Sequence, residues 1–461
     1  MLLKNKLNEV KSLLNSNNVL ATLEERYCYS KDASNAKTKS LVPDLVVFVE
    51  TVEDVQKTLK YANEHEIPIV CRGAGSNMVG ACLCSQGGIV LNFSKMNKIL
   101  DFNKTNMTIT VESGVVLGDL KQYVEAQGLF YPPDPSSYKI ATIGGSIAQS
   151  SGGAMSFKYG TTKDYVLSLK VVTSTGEIMS LGAQTSKNSS GYHLTQLMVG
   201  SEGTLGVIVE ATLRLIPKPE VNKSIVAYFN SVEKAVEAVN KIIDNQIFPA
   251  AIDYMDKNSM LTVEEFVHCG LKVQHECMLL IDIDGYKESI DTQIGKVRKA
   301  IEEVALEIII PKTEEETKAI WLGRSSSYSA TTRLAPDVIS DDIIVTRDKL
   351  ASLVQKCNEI VKKYGLKMCM VGHIGDGNLH PQIALDLDNE EEFRNYISAK
   401  SEIYKAVAEL GGLISAEHGI GADKLPYLVN FVDKNSLIYM KMIKKIFDPK
   451  NILNPDKIFK F

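Results

Sequence analysis

Five short glycine-rich segments between residues 71 and 208 constrain this chain more than any other feature of its sequence. They are Cys71–Gly80, Ala141–Ser146, Ser150–Gly153, Tyr159–Asp164 and Gly200–Ile208. Glycine lets a backbone approach its neighbour closely, because no side chain intrudes. One such segment is ordinarily a turn or a hinge. Five of them in one part of the chain predict a backbone surface that lies flat against a large planar ligand.

The first glycine-rich segment follows the apolar stretch Ile67-Pro68-Ile69-Val70, which has the pattern of a strand. A dinucleotide-binding Rossmann loop requires Gly-x-Gly-x-x-Gly at the start of a helix. Gly73 and Gly75 match the first two positions, but the third glycine comes only at Gly80. The segment therefore predicts a loop whose backbone N–H groups face a pyrophosphate, in a different frame from the Rossmann loop.

A second pattern places histidines and a carboxylate in two short segments near the C-terminus. Met370–Pro381 reads as strand, tight turn and strand, so that His373 and His380 come to one side of a hairpin. Gly411–Gly421 adds Glu417 and His418. Two imidazoles and one carboxylate suit Zn, Mn or Fe(II), and they leave coordination positions open for a substrate. The remaining histidines lack such company and are interpreted as structural or surface residues: His65, His193, His268 and His275.

The order of the glycine-rich segments resembles the FAD domain of the vanillyl-alcohol oxidase/para-cresol methylhydroxylase superfamily. The resemblance implies FAD between two α+β subdomains, with the Arg72–Asn77 loop at its pyrophosphate. It also implies a set of residues that approach the cofactor by backbone or short side chain. The expected set is Arg72, Gly73, Ala74, Gly75, Ser76, Asn77, Pro133, Ser136, Thr142, Gly144, Gly145, Gly152, Glu202, Gly203, Thr204 and Ile208.

Some members of that superfamily tether FAD through a histidine in or near the pyrophosphate loop. No histidine lies between residues 66 and 192 of this chain, so that attachment is not available. A cysteine tether is not excluded in the same way. We expect FAD to be bound without a covalent link.

The histidine segments resemble, more narrowly, the C-terminal cap domain of FAD-linked D-lactate, glycolate and D-2-hydroxyglutarate dehydrogenases. This resemblance extends from about residue 20 to the C-terminus. It implies that His373, His380 and Glu417 hold the metal and that His418 is the catalytic base. Trp321-Leu322-Gly323-Arg324 matches a segment whose arginine binds the substrate carboxylate, and the tail around Leu453-Asn454-Pro455 matches one whose asparagine returns to the flavin. The implied catalytic residues are therefore His418 and Arg324, with Asn454 at the cofactor.

The chain departs from the relatives that oxidise the longer dicarboxylate. Those carry a threonine four residues after the arginine and a lysine further on. Here Tyr328 occupies the first position, and an ungapped placement finds no lysine at the second. A second carboxylate on the substrate would meet neither of these binding side chains, which favours a substrate of the size of lactate or glycolate.

The predicted fold class is α+β, and Pro217-Lys218-Pro219 marks its main boundary, because closely spaced prolines stop regular structure. We predict an N-terminal helix and connector over residues 1–36 and a two-subdomain FAD-binding domain over 37–217. A ferredoxin-like cap over 218–445 is expected to hold substrate and metal, with an antiparallel sheet covered by helices on one side. Residues 446–461 are expected to return to the FAD-binding domain.

These features predict an FAD-dependent enzyme that oxidises a small D-2-hydroxy acid to the 2-keto acid with assistance from a divalent metal. Hydride would pass to flavin N5. Metal-dependent hydrolysis is a rival that leaves the glycine-rich segments unexplained. The second rival is a non-catalytic, flavin-holding subunit of a larger complex. A complete set of site residues argues against it, because buried charges without a role are costly.

Composition limits the partners of the chain. A net charge of −5 and a sequence pI near 5.9 argue against a nucleic-acid surface, which needs clustered basic residues. No signal peptide and no membrane-spanning run is apparent, so we expect a cytoplasmic protein, either a homo-oligomer or part of a complex. The eight cysteines lack iron–sulfur spacing. Electrons must therefore pass to an external acceptor, which is an electron-transferring flavoprotein, an iron–sulfur subunit, a quinone or oxygen. An electron-transferring flavoprotein is the first candidate.

Overall fold

The computed structural model describes residues 4–14, 16–35 and 40–460. The predicted boundary between residues 36 and 37 lies outside these described residues. The α-helices are α1 (Lys4–Leu13), α2 (Leu23–Tyr27), α3 (Val52–His65), α4 (Leu117–Ala126), α5 (Ile143–Gln149), α6 (Ser156–Tyr159), α7 (Leu194–Met198), α8 (Val232–Asp244), α9 (Lys257–Val267), α10 (Lys287–Ile301), α11 (Glu314–Ser325), α12 (Ser327–Thr331), α13 (Leu350–Lys363), α14 (Glu390–Glu409) and α15 (Lys434–Phe447).

The strands are β1 (Val19–Leu20), β2 (Leu45–Phe48), β3 (Ile69–Arg72), β4 (Ile89–Asn92), β5 (Ile99–Asn103), β6 (Thr108–Glu112), β7 (Leu129–Phe130), β8 (Val166–Val172), β9 (Ile178–Gly182), β10 (Val207–Arg214), β11 (Ile216–Pro217), β12 (Val221–Phe229), β13 (Ala251–Asp256), β14 (Cys277–Gly285), β15 (Glu307–Ile309), β16 (Asp337–Ser340), β17 (Ile343–Ile344), β18 (Lys367–His373) and β19 (Asn378–Leu385).

The chain divides into two compact units. Unit 1 consists of residues 1–151, 161–218 and 417–461, within the described ranges, and unit 2 consists of residues 152–160 and 219–416. The four-part division proposed from the sequence remains a prediction.

The first subdomain of unit 1 is built on a four-stranded sheet with the strand order β1-β2-β4-β3. Helix α3 connects the parallel strands β2 and β3, as the sequence predicts, and β4 lies between them. The predicted capping box at the start of α3 is present, since Thr51 and Asp54 bond each other's backbone N–H groups. Apolar residues of α3, among them Val55 and Leu59, pack against the sheet.

The second subdomain of unit 1 is a five-stranded antiparallel sheet with the order β5-β6-β10-β8-β9. Helices α4 and α5 bury Leu120, Ile143 and Ile147 against it. The C-terminal segment joins the first subdomain, because Leu453 forms a parallel bridge with Ile69 and Asn454 N–H donates to the Ile69 carbonyl. This pairing places the end of the chain beside the strand that leads into the first glycine-rich loop.

Unit 2 is built on an eight-stranded antiparallel sheet with the order β15-β12-β14-β13-β18-β19-β16, and β17 pairs with β19. The inner strand β14 is buried from Cys277 to Asp284, and only its last residue, Gly285, is half-buried. On one face, Met278 and Leu280 pack with Met260 of α9 and Trp321 of α11.

Helices cover both faces of this sheet, so the prediction of helices on one side was wrong. The alternate residues Leu279 and Ile281 point to the opposite face and are equally buried. Helices α8 and α10 contact β12 and β14. A sheet covered on both faces is hard to recognise from sequence, because a strand that is buried on both faces shows a continuous apolar run in place of an alternating pattern.

No helix in the described ranges is both long and apolar enough to cross a lipid bilayer.

Candidate active site

The first glycine-rich loop of unit 1 is packed too tightly to accept side chains. A Cβ atom on Gly73 would lie 2.2 Å from Thr142 Oγ1, and Gly75 adopts a left-handed φ of +72°. Asn77 closes the loop, because its Oδ1 accepts hydrogen bonds from the N–H groups of Val79 (3.3 Å) and Ala81 (2.8 Å). The backbone of this loop is therefore held in one conformation, as a pyrophosphate-binding loop requires.

Two predicted cofactor residues in this unit have contacts that the sequence did not suggest. The Arg72 guanidinium lies 5.5 Å from the ring centroid of Tyr29 and donates from Nη1 to the Lys31 carbonyl at 2.7 Å. The Pro133 carbonyl, with those of Tyr131 and Pro132, accepts a hydrogen bond from the Lys121 ammonium. Burial lowers the pKa of Lys121. The three hydrogen bonds from the Lys121 ammonium hold the proline-rich loop that precedes α5.

The second glycine-rich segment forms the start of α5. Thr142 caps the helix by accepting from Gly145 N–H at 3.3 Å, and Gly144 N–H donates to the Ser113 carbonyl at 2.7 Å. A Cβ atom on Gly144 would lie only 2.6 Å from Ser113 Cβ. Glycine is thus required for α5 to approach the neighbouring strand end.

Several buried polar atoms beside these segments have no hydrogen-bond partner among the described residues. Buried polar groups are ordinarily paired, and a bound polar ligand would supply partners for such atoms. The atoms are Asn77 Nδ2, Ser113 Oγ, Ser146 Oγ, Gln149 Oε1 and Asn454 Oδ1. A cavity of about 360 Å³ in the same unit is lined in part by Gly73, Ala74 and Thr142. These observations fit a bound dinucleotide.

The glycine-rich loop at residues 419–421 is held by the carboxylate of Glu202. Its oxygens accept from Ile420 N–H at 2.6 Å and from Gly421 N–H at 2.8 Å. Burial raises the pKa of Glu202, and the two backbone hydrogen bonds oppose that shift. Asn454 Nδ2 donates to the Glu202 carbonyl at 2.7 Å. Glu202 therefore fixes the backbone that directly follows His418.

In unit 2, the hairpin of β18 and β19 brings two histidines together, as the sequence predicts. The centroids of the His373 and His380 rings lie 5.3 Å apart, and both side chains are buried. The turn needs glycine at position 377, where φ is +93° and a Cβ atom would lie 2.0 Å from the Val345 carbonyl oxygen. The strand register, with Val371 opposite His380, puts both imidazoles on the same face of the sheet.

Each of these imidazoles is oriented through its Nδ1 atom. His373 Nδ1 lies 2.7 Å from Asp253 Oδ1, and His380 Nδ1 lies 3.2 Å from the Asp341 carbonyl oxygen. Both partners accept hydrogen bonds, so we assign the proton of each neutral ring to Nδ1. Nε2 is then the nitrogen with which each histidine can bind a metal ion.

Arg324, which is predicted to bind the substrate carboxylate, lies beside Asp253, the partner of His373. Arg324 Nε forms an ion pair with Asp253 Oδ2 at 2.7 Å, and both side chains are buried. Helix α11 is anchored one turn earlier, where Trp321 Nε1 donates to Asp282 Oδ1 at 3.0 Å. Burial raises the pKa of Asp253, but Arg324 and then His373 outweigh this effect, and the pKa falls below its ordinary value. Asp253 is therefore ionised and bridges the histidine and the arginine.

A second buried aspartate, Asp342, forms hydrogen bonds with the last residues of unit 2. Its carboxylate accepts from Asn378 Nδ2 at 2.8 Å, from Ser415 Oγ at 3.0 Å and from Ala416 N–H at 2.8 Å. Ser415 and Ala416 lead directly into Glu417 in the sequence. Asp342 thus ties the histidine hairpin to the segment that precedes the predicted carboxylate ligand.

The structure brings His373, His380 and Arg324 together in unit 2, whereas Glu417 and His418 begin the last segment of unit 1. All predicted cofactor residues lie in unit 1 except Gly152, which belongs to unit 2. Sequence reasoning missed Asp253, Asp342 and the unpaired Gln149. The one available signal was the presence of a carboxylate, Asp253, inside the apolar strand β13.

Comparisons with known proteins identify the family to which this chain belongs. A family model described as "FAD binding domain" matches residues 43–182, and one described as "FAD linked oxidases, C-terminal domain" matches residues 218–458, more than half of the chain. The chain belongs to the FAD-linked oxidases. It is therefore an FAD-binding oxidoreductase, and the cofactor predicted from the glycine-rich segments is confirmed.

Relatives of this FAD-linked oxidase cover nearly its whole length. It is 41% identical to the glycolate oxidase subunit GlcD of Bacillus subtilis, over 94% of this chain and 92% of the relative. It is 36% identical to D-lactate dehydrogenase of Anaerostipes hadrus, over 90% of this chain and 89% of the relative. Substrate-bound p-cresol methylhydroxylase shares the fold, with a TM-score of 0.84, 18% identity and coverage of 99% and 96% of the two chains. The superfamily fold predicted from the sequence is thereby confirmed.

Proposed function

We propose that this FAD-linked oxidase oxidises a small D-2-hydroxy acid, D-lactate or glycolate, to the 2-keto acid with the help of a divalent metal. The observation that carries the proposal is the convergence of His373, His380 and Arg324 on one sheet face of unit 2, with Asp253 shared by two of them. The names of the relatives support the substrate class and its handedness. Tyr328 at the position of the dicarboxylate-binding threonine supports a substrate with one carboxylate.

The histidine pair fits a metal ion of the Zn, Mn or Fe type. Ring nitrogens of His373 and His380 lie within 4.8 Å of each other. This limit accommodates the span of about 3.3 Å between two imidazole nitrogens on one tetrahedral ion with metal–nitrogen bonds of about 2.0–2.1 Å. We propose Glu417 as the third ligand, on the basis of the sequence pattern. Three protein ligands leave positions for a substrate hydroxyl and carboxylate.

In the proposed reaction, bound FAD supplies a hydride acceptor and the metal supplies a Lewis acid that lowers the pKa of the substrate hydroxyl. Arg324 binds the substrate carboxylate and orients the Cα–H bond. His418 removes the hydroxyl proton as general base. Glu202 supports this step, because its hydrogen bonds to Ile420 and Gly421 hold the backbone beside His418.

We further propose that the electrons pass to a separate protein, with an electron-transferring flavoprotein as the first candidate. The scattered cysteines support an external acceptor, since they cannot hold an iron–sulfur cluster of the usual spacing. The word "subunit" in the name of the Bacillus subtilis relative also supports a protein partner.

FAD should be released by acid or heat. Cys71 and Cys82 are the cysteines nearest the first glycine-rich loop, and burial raises the pKa of each thiol to about 12. A protonated thiol is a poor nucleophile, so neither is suited to forming a flavin linkage. Precipitation of the yellow protein should leave the flavin absorbance in the supernatant. Flavin that sediments with the chain would contradict non-covalent binding.

The substrate assignment predicts that D-lactate or glycolate bleaches the flavin faster than L-lactate or 2-hydroxyglutarate under anaerobic conditions. Arg324 can pair with one carboxylate, whereas Tyr328 stands where the relatives that oxidise the dicarboxylate carry a threonine. Stopped-flow absorbance near 450 nm measures the rate for each acid. Faster bleaching by L-lactate would overturn the handedness, and no bleaching by any 2-hydroxy acid would favour a non-catalytic subunit.

A further inference from the structure

The carboxylate of Asp253 has each of its oxygens committed to a different functional side chain. Oδ1 lies 2.7 Å from His373 Nδ1, and Oδ2 lies 2.7 Å from Arg324 Nε. The side chain of Asp253 is only 1% exposed, so water does not compete for these contacts. Removal of the negative charge would leave a buried guanidinium without its counter-ion, which is strongly unfavourable.

We propose that Asp253 is a positioning residue that presents the metal-binding histidine and the substrate-binding arginine together. This inference rests on the proposed function. It assigns Asp253 no contact with the reacting atoms, because its effect passes through His373 and Arg324. Since one carboxylate sets both orientations, its loss should weaken metal binding and substrate binding at the same time.

The effect on the metal follows from the histidine tautomer. A carboxylate at Nδ1 keeps the proton on that nitrogen, directs Nε2 to the ion and raises the basicity of the ring. Loss of such a partner typically costs 10- to 100-fold in metal affinity. The register of β13 and β18, which pairs Tyr254 with Gly372, places Asp253 opposite His373.

The effect on the substrate follows from the shape of the guanidinium. Asp253 pairs with Nε through charge and proximity, at 2.7 Å but without hydrogen-bond alignment. Nη1 and Nη2 of Arg324 make no hydrogen bond to a described residue of unit 2. These two nitrogens form the planar fork that binds a carboxylate through two parallel hydrogen bonds. The contact with Asp253 fixes the rotation of that fork about the side chain.

Asp253→Asn is the test, because the amide preserves the size of the side chain and removes the charge. Its Oδ1 can still accept from His373, but its NH₂ group faces Arg324 Nε, which is also a donor. On the FAD-loaded protein we expect the dissociation constant for Mn²⁺ alone to rise 10- to 100-fold in equilibrium dialysis. At saturating Mn²⁺ we expect KM for D-lactate or glycolate, whichever bleaches the flavin faster, to rise about 10-fold or more.

Asp256→Asn is the matched control. Asp256 lies on the same strand, β13, but on the opposite face, and its carboxylate caps α9 through Ser259 N–H at 2.8 Å. Asparagine is an equally good cap. This variant should keep the Mn²⁺ affinity and KM of the wild type.

A double-mutant cycle separates positioning from general destabilisation. If Asp253 acts on the substrate through Arg324, the effects of Asp253→Asn and Arg324→Lys on KM should be far from additive. Additive effects, or a wild-type Mn²⁺ affinity in Asp253→Asn, would overturn the inference while the proposed function stands. Failure of the wild type to bind Mn²⁺ would instead overturn the metal in the proposed function, and the inference with it.

Discussion

Replacement of His418 by asparagine should slow flavin reduction by the substrate by about 10²- to 10⁴-fold, the usual contribution of a general base. Asparagine cannot take up the hydroxyl proton, whereas the surrounding loop should keep its conformation. That loop is held through the backbone N–H groups of Ile420 and Gly421 on Glu202, and neither bond involves the imidazole. Single-turnover stopped flow at 450 nm measures the loss directly.

The control for this variant is His193→Asn, which changes an exposed histidine of unit 1. The control should bleach at the wild-type rate, and both variants should bind FAD and Mn²⁺ as the wild type does. Flavin reduction at an undiminished rate in His418→Asn would show that another group takes the proton. Loss of FAD would show that the side chain has a structural role.

Replacement of His380 by alanine should remove the bound metal and abolish turnover while FAD remains. His380 is one of only three proposed protein ligands, and its Nδ1 is oriented by the Asp341 carbonyl. The predicted cofactor residues, apart from Gly152, lie in unit 1, whereas His380 lies in unit 2. Metal analysis of the purified protein, set against its absorbance near 450 nm, measures both components.

His275→Ala is the control, since His275 lies on unit 2 with Glu307 as its partner at 3.4 Å and has no proposed role. It should retain metal and activity. Removal of the metal from the wild type should reproduce the His380→Ala defect, and added Zn, Mn or Fe should partly restore activity in the wild type alone. Full turnover by a verified metal-free wild type would contradict the metal-assisted reaction.

The sequence was most informative where a function depends on residues that are close along the chain. The capping box of Thr51 and Asp54, the turn of the histidine hairpin and the glycines of the first loop all depend on local geometry. Strand and turn chemistry specify these features within a few residues. The pairing of His373 with His380 could be predicted for the same reason, because a tight hairpin joins the two strands.

Only the tertiary structure revealed the supports of these residues. Asp253 is 120 positions from His373, and Glu202 is 218 positions from Ile420. No local pattern encodes such separations. The pairing of β13 with β18 follows from the order of strands across the sheet, and that order depends on how all the apolar faces of unit 2 are buried together. The sequence by itself thus determined the cofactor class and the chemical groups of the site. Long-range strand pairing decided which carboxylate orients those groups, because a buried charge is stable only where oppositely charged and hydrogen-bonding partners surround it.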